Sequence, residues 1–141
     1  MHYKVGYTQG TYDMFHVGHL NLINNAKKFC DFLIVGVNSD WLVNEYKHKT
    51  PVIPEKERQL IVANIKAVDQ CVITHTLDKV QLWKELNFDV VFIGDDWKGD
   101  ERWKQTEIDL QVFGATVVYL PYTNDISSTI LRLEKDNRVG E

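Results

Sequence analysis

The chain has little cysteine, no surplus of positive charge and no long apolar run. Cys30 and Cys71 are its only cysteines, and their separation in apolar surroundings predicts reduced core thiols rather than a disulfide or a metal site. The formal net charge of −4 does not favour nucleic acid or an anionic membrane as a partner. No apolar run approaches the roughly 20 residues of a membrane span, and the amino-terminal residues lack a secretory pattern. We therefore expect a cytoplasmic protein without a membrane segment.

The sequence also lacks the glycine-rich dinucleotide fingerprint and the P-loop. Apolar runs predict strands at 5–8, 32–38, 70–74, 90–93 and 116–120. Helices are predicted at 18–29, 39–46, 55–65, 78–86, 101–113 and 127–134. This alternation predicts an α/β fold: a single Rossmann-like, doubly wound, five-stranded parallel sheet with helices on both faces. It forms one domain over residues 1–134, and the charged residues 135–141 are predicted to fray as a tail.

Two histidines stand where the first strand turns into the first helix. Residues 10–19 read Gly-Thr-Tyr-Asp-Met-Phe-His-Val-Gly-His. In an open α/β sheet this turn faces the ligand crevice, and a helix N-terminus suits phosphate. His16 and His19 can point the same way, and Gly18 removes a side chain where a phosphate would approach the backbone. The spacing favours phosphate chemistry over a pair of packed histidines, and a zinc site has no obvious third ligand.

The segment Gly-Thr-Tyr-Asp-x-x-His-x-Gly-His resembles the motif of the cytidylyltransferases that act on phosphorylated alcohols, within the HxGH nucleotidyltransferase superfamily. Over nearly its full length the chain is similar to the small bacterial glycerol-3-phosphate cytidylyltransferases. The resemblance implies CTP with Mg²⁺, a small phosphorylated acceptor and a homodimer. It places Gly10, Thr11, Tyr12 and Asp13 at the nucleotide. The histidine motif alone does not separate cytidylyl from adenylyl transfer.

The loop after the fourth predicted strand bears on the identity of the base. It reads Gly-Asp-Asp-Trp-Lys-Gly, so Asp95 and Asp96 can accept from an exocyclic amine and Trp97 can cover a base. These residues alone leave cytosine and adenine open, because both bases carry such an amine. The resemblance favours cytosine, since Gly-Asp-Asp-Trp at this position is typical of the cytidylyltransferases.

A run of hydroxyls near the carboxyl terminus predicts a second phosphate-binding helix start. Ile126, Ser127, Ser128 and Thr129 resemble the end of the family segment Arg-Thr-Glu-Gly-Ile-Ser-Thr-Thr. Tyr122 replaces the arginine of that segment and cannot make its bidentate phosphate contact. The acceptor therefore stays open.

Basic residues complete the predicted site. Lys47 and Lys49, in the loop after the second helix, match family lysines, and can close over a triphosphate instead of being merely solvated. Arg58 matches a family arginine, although Glu55 and Glu57 offer it ion pairs. Residues 66–69 stand where the glycerol-3-phosphate enzymes have Arg-Tyr-Val-Asp, and Lys66 replaces the arginine. Predicted to bind the acceptor are Arg58, Lys66 and Tyr122.

Together these features predict cytidylyl transfer from CTP to a small phosphorylated alcohol, with glycerol 3-phosphate as the first choice. His16, His19, Lys47 and Lys49 are the predicted catalytic residues. Products of this kind supply teichoic acid, capsule or phospholipid synthesis. The alternatives are another acceptor (phosphocholine, phosphoethanolamine, a phosphorylated amide or sugar alcohol), adenylyl transfer from ATP, and a nucleotide sensor without turnover.

Overall fold

The computed structural model describes residues 2–121, which form a five-stranded parallel sheet with the order β3-β2-β1-β4-β5. Its strands are β1 (Tyr3–Gly10), β2 (Cys30–Asn38), β3 (Gln70–Thr74), β4 (Val90–Gly94) and β5 (Thr116–Leu120). Every pair of neighbouring strands is parallel. The predicted Rossmann-like sheet is confirmed. The predicted helix 127–134 and tail 135–141 lie outside the described residues.

Five helices connect these strands: α1 (Val17–Lys27), α2 (Asp40–Lys47), α3 (Glu55–Ala63), α4 (Lys79–Leu86) and α5 (Glu101–Gln111). Two of them begin one residue later than predicted, because the residue before each is an extended cap. The Ser39 hydroxyl accepts the Leu42 N–H at the start of α2, and the Asp78 carboxylate accepts two N–H groups at the start of α4. Such caps satisfy main-chain donors that have no partner within the helix.

Apolar layers cover both faces of the sheet, as a doubly wound fold requires. Side chains of α1 and α3, including Ile23 and Val62, pack on the face that carries Leu33 of β2. Leu82 of α4 and Leu110 of α5 pack on the opposite face, and these two helices also contact each other. The continuous apolar run of β2 is therefore buried from both sides.

Both cysteines are free thiols, as predicted. Cys30 is buried, and Cys71 is half-buried at the edge strand β3. Burial raises the pKa of Cys71 to about 11, which keeps this thiol protonated near neutral pH. Within residues 2–121, no helix combines the length and the apolar character needed to cross a membrane.

The strand order places the two predicted nucleotide loops side by side. The chain proceeds from β1 to β2 and β3 on one side of the sheet, whereas β4 and β5 lie on the other side of β1. Ligands bind at such a reversal point, beyond the carboxyl ends of the strands. The turn after β1 and the loop after β4 both lie at this edge.

Candidate active site

His16 and His19 form a reciprocal cap at the start of α1. His16 is the N-cap, and its Nδ1 accepts the Gly18 N–H at 3.0 Å. The Nδ1 of His19 accepts the His16 N–H at 3.2 Å, and the two ring centroids lie 4.1 Å apart. The expectation that both side chains point the same way is confirmed. Because each Nδ1 accepts a main-chain hydrogen, each neutral ring carries its proton on Nε2.

The turn that carries the histidines is packed tightly. His19 is 5% exposed, and its ring lies 5.5 Å from Tyr12 and 5.2 Å from Phe15. Tyr12 and Met14 adopt φ angles of 56° and 49°, in the left-handed region that residues other than glycine seldom enter. Such a conformation costs roughly 1–2 kcal/mol per residue, so the surrounding packing must hold the turn in place.

Asp13 ties this turn to the segment between α2 and α3. Its carboxylate, 1% exposed, accepts the N–H groups of Val52 at 2.8 Å and Ile53 at 2.9 Å. The Thr11 hydroxyl is also buried, and accepts the Asn38 amide at 3.3 Å. These hydrogen bonds hold the turn in place. Binding of the nucleotide by Thr11 and Asp13 stays a prediction.

Arg58 is a buried structural residue. Its guanidinium donates to the carbonyl oxygens of Ile53, Thr11 and Asn38 at 2.7–2.8 Å and to the Asp40 carboxylate at 2.6 Å, and the residue is 1% exposed. These contacts use most of its five N–H donors. The structure therefore shows Arg58 joining segments of the protein to one another, and its binding of the acceptor stays a prediction.

A cavity of about 560 Å³ lies at the carboxyl edge of the sheet, within the usual size range of small-molecule sites. It brings together residues predicted from three separate segments. The predicted residues in its wall are Gly10, Tyr12, Gly18, His19, Lys47, Asp96 and Trp97. The cavity thus joins the histidine turn, the end of α2 and the 3-10 turn Asp95–Trp97.

Other predicted residues border this wall or lie away from it. The His16 ring contacts that of His19 at a tilt of 34°. Asp95 and Lys49 are exposed and lie near Asp96 and Lys47 in the chain. Lys66 stands between α3 and β3, at the amino ends of the strands, in a separate depression with Lys27 and Lys28. The structure thus places Lys66 away from the cavity, at the edge of the sheet opposite the histidines, and its contact with the acceptor stays a prediction. Ile126, Ser127, Ser128, Thr129 and Tyr122 lie outside the described residues.

The structure adds wall residues that the sequence did not suggest. Gln9 donates to the Asn38 side chain at 2.7 Å, and Asn38 donates to the Tyr46 hydroxyl at 3.2 Å. All three line the cavity. Gln9 and Asn38 are polar residues at the carboxyl ends of β1 and β2. That position in the sequence could have identified them as site residues.

Lys79, Arg102 and Trp103 are further wall residues that the sequence did not suggest. Lys79 is 9% exposed; its ammonium donates to the Leu77 carbonyl at 2.9 Å and lies 5.2 Å from the centre of the Trp103 ring. Burial lowers the pKa of Lys79 to about 8. The cavity wall therefore contains a cation that is desolvated even before a ligand binds.

Comparison with known proteins agrees with this geometry. The profile of the cytidylyltransferase-like family matches residues 7–134. The chain is 34% identical to the glycerol-3-phosphate cytidylyltransferase of Bacillus subtilis, over 90% of this chain and 93% of that protein. It is 39% identical to the bifunctional protein HldE of Caulobacter vibrioides, over 67% of this chain and 20% of that protein.

A solved structure shows the same fold. The crystal structure of the lipopolysaccharide core biosynthesis protein from Thermoplasma volcanium aligns with a TM-score of 0.72 and 26% identity. The alignment covers 86% of this chain and 97% of that one. These matches include the histidine turn and the loop after β4 and extend over most of the chain. The chain belongs to the cytidylyltransferase-like family and is a nucleotidyltransferase.

Proposed function

We propose that this protein transfers the cytidylyl group of CTP to a small phosphorylated acceptor and releases pyrophosphate. The observation that carries the proposal is that His19, held by the reciprocal histidine cap, lines the same cavity as Asp96 and Trp97. The similarity to glycerol-3-phosphate cytidylyltransferase supports CTP as the donor and glycerol 3-phosphate as the first acceptor to test.

The reaction needs alignment and charge stabilisation more than proton transfer. A phosphate oxygen of the acceptor, already ionised, attacks the α-phosphorus of CTP. A P–O bond forms there while the bond to the bridging oxygen of the β-phosphate breaks, and pyrophosphate leaves with the electron pair. The Nε2–H groups of His16 and His19 donate to the phosphate oxygens on which charge builds. Lys47, in the wall of the same cavity, neutralises charge on the phosphates, and Lys49 assists from the adjoining segment.

The cytosine ring is assigned to the end of the cavity formed by the loop after β4. Trp97 is half-buried in the wall and offers an aromatic face on which a base can stack. Asp96 lines the cavity, and either carboxylate of the Asp95–Asp96 pair can accept the exocyclic amine. Main-chain groups of Gly10 and Gly18 approach the phosphates without side chains in the way.

Magnesium is part of the proposal as the companion of the triphosphate. Mg²⁺ keeps several waters and binds through substrate phosphates with one or two carboxylates, so it needs no dedicated protein cage. Residues 2–121 contain no group of three histidine, cysteine or acidic side chains arranged for a metal. When bound, the ion would neutralise charge on the phosphates. Asp96, in the cavity wall, is the carboxylate that we propose would hold it.

A pyrophosphate-release assay tests the proposal. Purified protein is mixed with Mg²⁺, either CTP or ATP, and a panel of acceptors that includes glycerol 3-phosphate, phosphocholine, phosphoethanolamine and sugar-alcohol phosphates. We expect release with CTP and at least one acceptor. Release with ATP alone would replace the proposal by adenylyl transfer. Tight CTP binding with no release for any acceptor would favour a nucleotide sensor.

Two further parts of the proposal concern the assembly and the product. We propose a homodimer, by analogy with the family, which light scattering of the purified chain measures. We also propose that the CDP-linked product supplies a teichoic acid, capsule or phospholipid building block. Identification of the accepted substrate would decide between these classes.

A further inference from the structure

Tyr46, near the end of α2, places a hydroxyl in the cavity wall for which the proposed reaction has no role. The residue is 36% exposed and lines the cavity together with Gln9 and Asn38. Its hydroxyl oxygen lies 3.2 Å from the Asn38 amide nitrogen and 3.3 Å from the Thr11 hydroxyl. Whether this hydroxyl offers a ligand a hydrogen or a lone pair depends on where the hydrogens of its neighbours go.

A main-chain carbonyl fixes the orientation of two side-chain amides in this network. The Thr76 carbonyl oxygen only accepts, so the Gln9 group that lies 3.0 Å from it is the NH2. The same NH2 donates to the Asn38 side-chain oxygen at 2.7 Å. The oxygen of Asn38 therefore faces Gln9. Its NH2 then donates its two hydrogens to Thr11 and Tyr46.

The buried hydroxyl of Thr11 determines the direction of the last hydrogen bond. Thr11 has no exposed surface, and its oxygen already accepts from Asn38 at 3.3 Å. Among the contacts within residues 2–121, the Tyr46 oxygen is the one acceptor that the Thr11 hydrogen can reach. A buried hydroxyl without an acceptor is costly, so Thr11 donates to Tyr46. Tyr46 thus accepts two hydrogens, and its own hydrogen is left for a ligand in the cavity.

The strand order indicates which ligand lies beside Tyr46. Strand β2, which leads into α2, lies on the side of β1 away from β4. The base is assigned to the loop after β4, and the reacting phosphates are assigned to the histidine turn after β1. The wall beyond β2 is therefore left for the acceptor, whose phosphate must reach the same turn in line with the bond that breaks.

We propose that Tyr46 determines acceptor specificity by donating a hydrogen bond to a hydroxyl oxygen that the acceptor carries beside its reacting phosphate. The inference rests on the proposed function and makes a phosphorylated polyol the preferred class of acceptor. Gln9 and Asn38 are positioning residues, because they hold the tyrosine oxygen as an acceptor of protein hydrogens. The Lys47 ammonium lies 5.7 Å from the centre of the Tyr46 ring, where the phosphate of the same acceptor can meet it.

A pair of ligands that differ only in their hydroxyl groups tests the inference. Glycerol 3-phosphate and propyl phosphate are each titrated calorimetrically into protein saturated with Mg²⁺ and α,β-methylene-CTP, after circular dichroism has verified the fold of each variant. We expect wild type to bind glycerol 3-phosphate about 3- to 10-fold more tightly, as one hydrogen bond between neutral groups allows. Tyr46→Phe should bring this ratio close to one and leave the Kd of propyl phosphate unchanged. Tyr3→Phe is the matched control, because Tyr3 lies at the amino end of β1, away from the cavity.

The same titrations contain the results that would overturn the inference. Equal binding of the two ligands by wild type, no binding of glycerol 3-phosphate, or an unchanged ratio in Tyr46→Phe would show that Tyr46 recognises no hydroxyl group. An equal loss for both ligands in Tyr46→Phe would mean that the tyrosine donates to the phosphate instead. Weaker binding of α,β-methylene-CTP alone would mean that it donates to the nucleotide. A wild-type preference that is lost in Tyr46→Phe, in protein that releases no pyrophosphate, would support the inference and overturn the proposed function alone.

Discussion

His16 accepts the Gly18 N–H through Nδ1, and His19 accepts the His16 N–H through Nδ1, with the two ring centroids 4.1 Å apart. The same two hydrogen bonds cap the helix and orient the rings. The capping contacts fix which nitrogen of each neutral ring accepts, so Nε2 of both rings becomes the donor. Two Nε2–H donors thereby lie side by side at the N-terminus of α1, where the helix dipole also favours phosphate.

Substitution of His16 separates its capping role from its chemical role. Asparagine is a good N-cap and retains an acceptor for the Gly18 N–H, whereas alanine does not. We expect urea unfolding to place His16→Ala about 1 kcal/mol below His16→Asn in stability. Both variants should lose about 100-fold or more in kcat, because neither provides the imidazole donor. Near-wild-type turnover of His16→Asn would reduce His16 to a capping residue.

We expect substitution of Arg58 to lower the stability of the folded protein. Removal of its guanidinium leaves the Asp40 carboxylate and three carbonyl oxygens without their buried donor. We expect Arg58→Ala to lower the free energy of unfolding by about 3–5 kcal/mol. Lys56→Ala, an exposed change on the same helix, should stay within about 0.5 kcal/mol of wild type. A loss below 1 kcal/mol for Arg58→Ala would contradict this structural role.

Asp13 should control how the segment between α2 and α3 meets the histidine turn. Asp13→Asn keeps the shape of the side chain but places an amide donor against one of two main-chain N–H groups. We expect a loss of about 1–3 kcal/mol in unfolding free energy. The KM for CTP should rise, because the same segment carries Lys49. Asp31→Asn, a change at an exposed carboxylate, is the control. An unchanged KM would separate this segment from nucleotide binding.

The stability of the protein should depend on pH through Lys79. Burial lowers its folded pKa to about 8 from an ordinary value of 10.5; Asp78 opposes this shift and Arg102 adds to it. Between these two pH values the unfolded chain binds more protons, so stability rises with pH. We expect the unfolding free energy of wild type, relative to Lys79→Met, to increase by about 3 kcal/mol from pH 8 to 10.5. A constant difference across this range would mean that Lys79 is well solvated.

The sequence predicted the elements of the fold better than the positions of its charged side chains. Alternating apolar runs are local, so they predicted all five strands, and the histidine turn was predicted from its own spacing. The burial of Arg58 could not be predicted, because its four acceptors come from segments that only the folded chain brings together. The distance of Lys66 from the cavity could not be predicted for a related reason, since its edge of the sheet depends on where α3 ends. Lys79 joins the cavity only through the packing of α4 against α5.

The central claim, cytidylyl transfer from CTP, is tested most directly by ³¹P NMR of one reaction mixture. Wild-type protein, Mg²⁺, CTP and the acceptor that gives the greatest pyrophosphate release are compared with the same mixture containing His19→Ala. The account predicts equal amounts of pyrophosphate and of a new CDP-linked diphosphate that retains the α-phosphorus of CTP, with the rate at least about 100-fold lower in the variant. Hydrolysis of CTP without a diphosphate product, or equal rates in the two proteins, would contradict it.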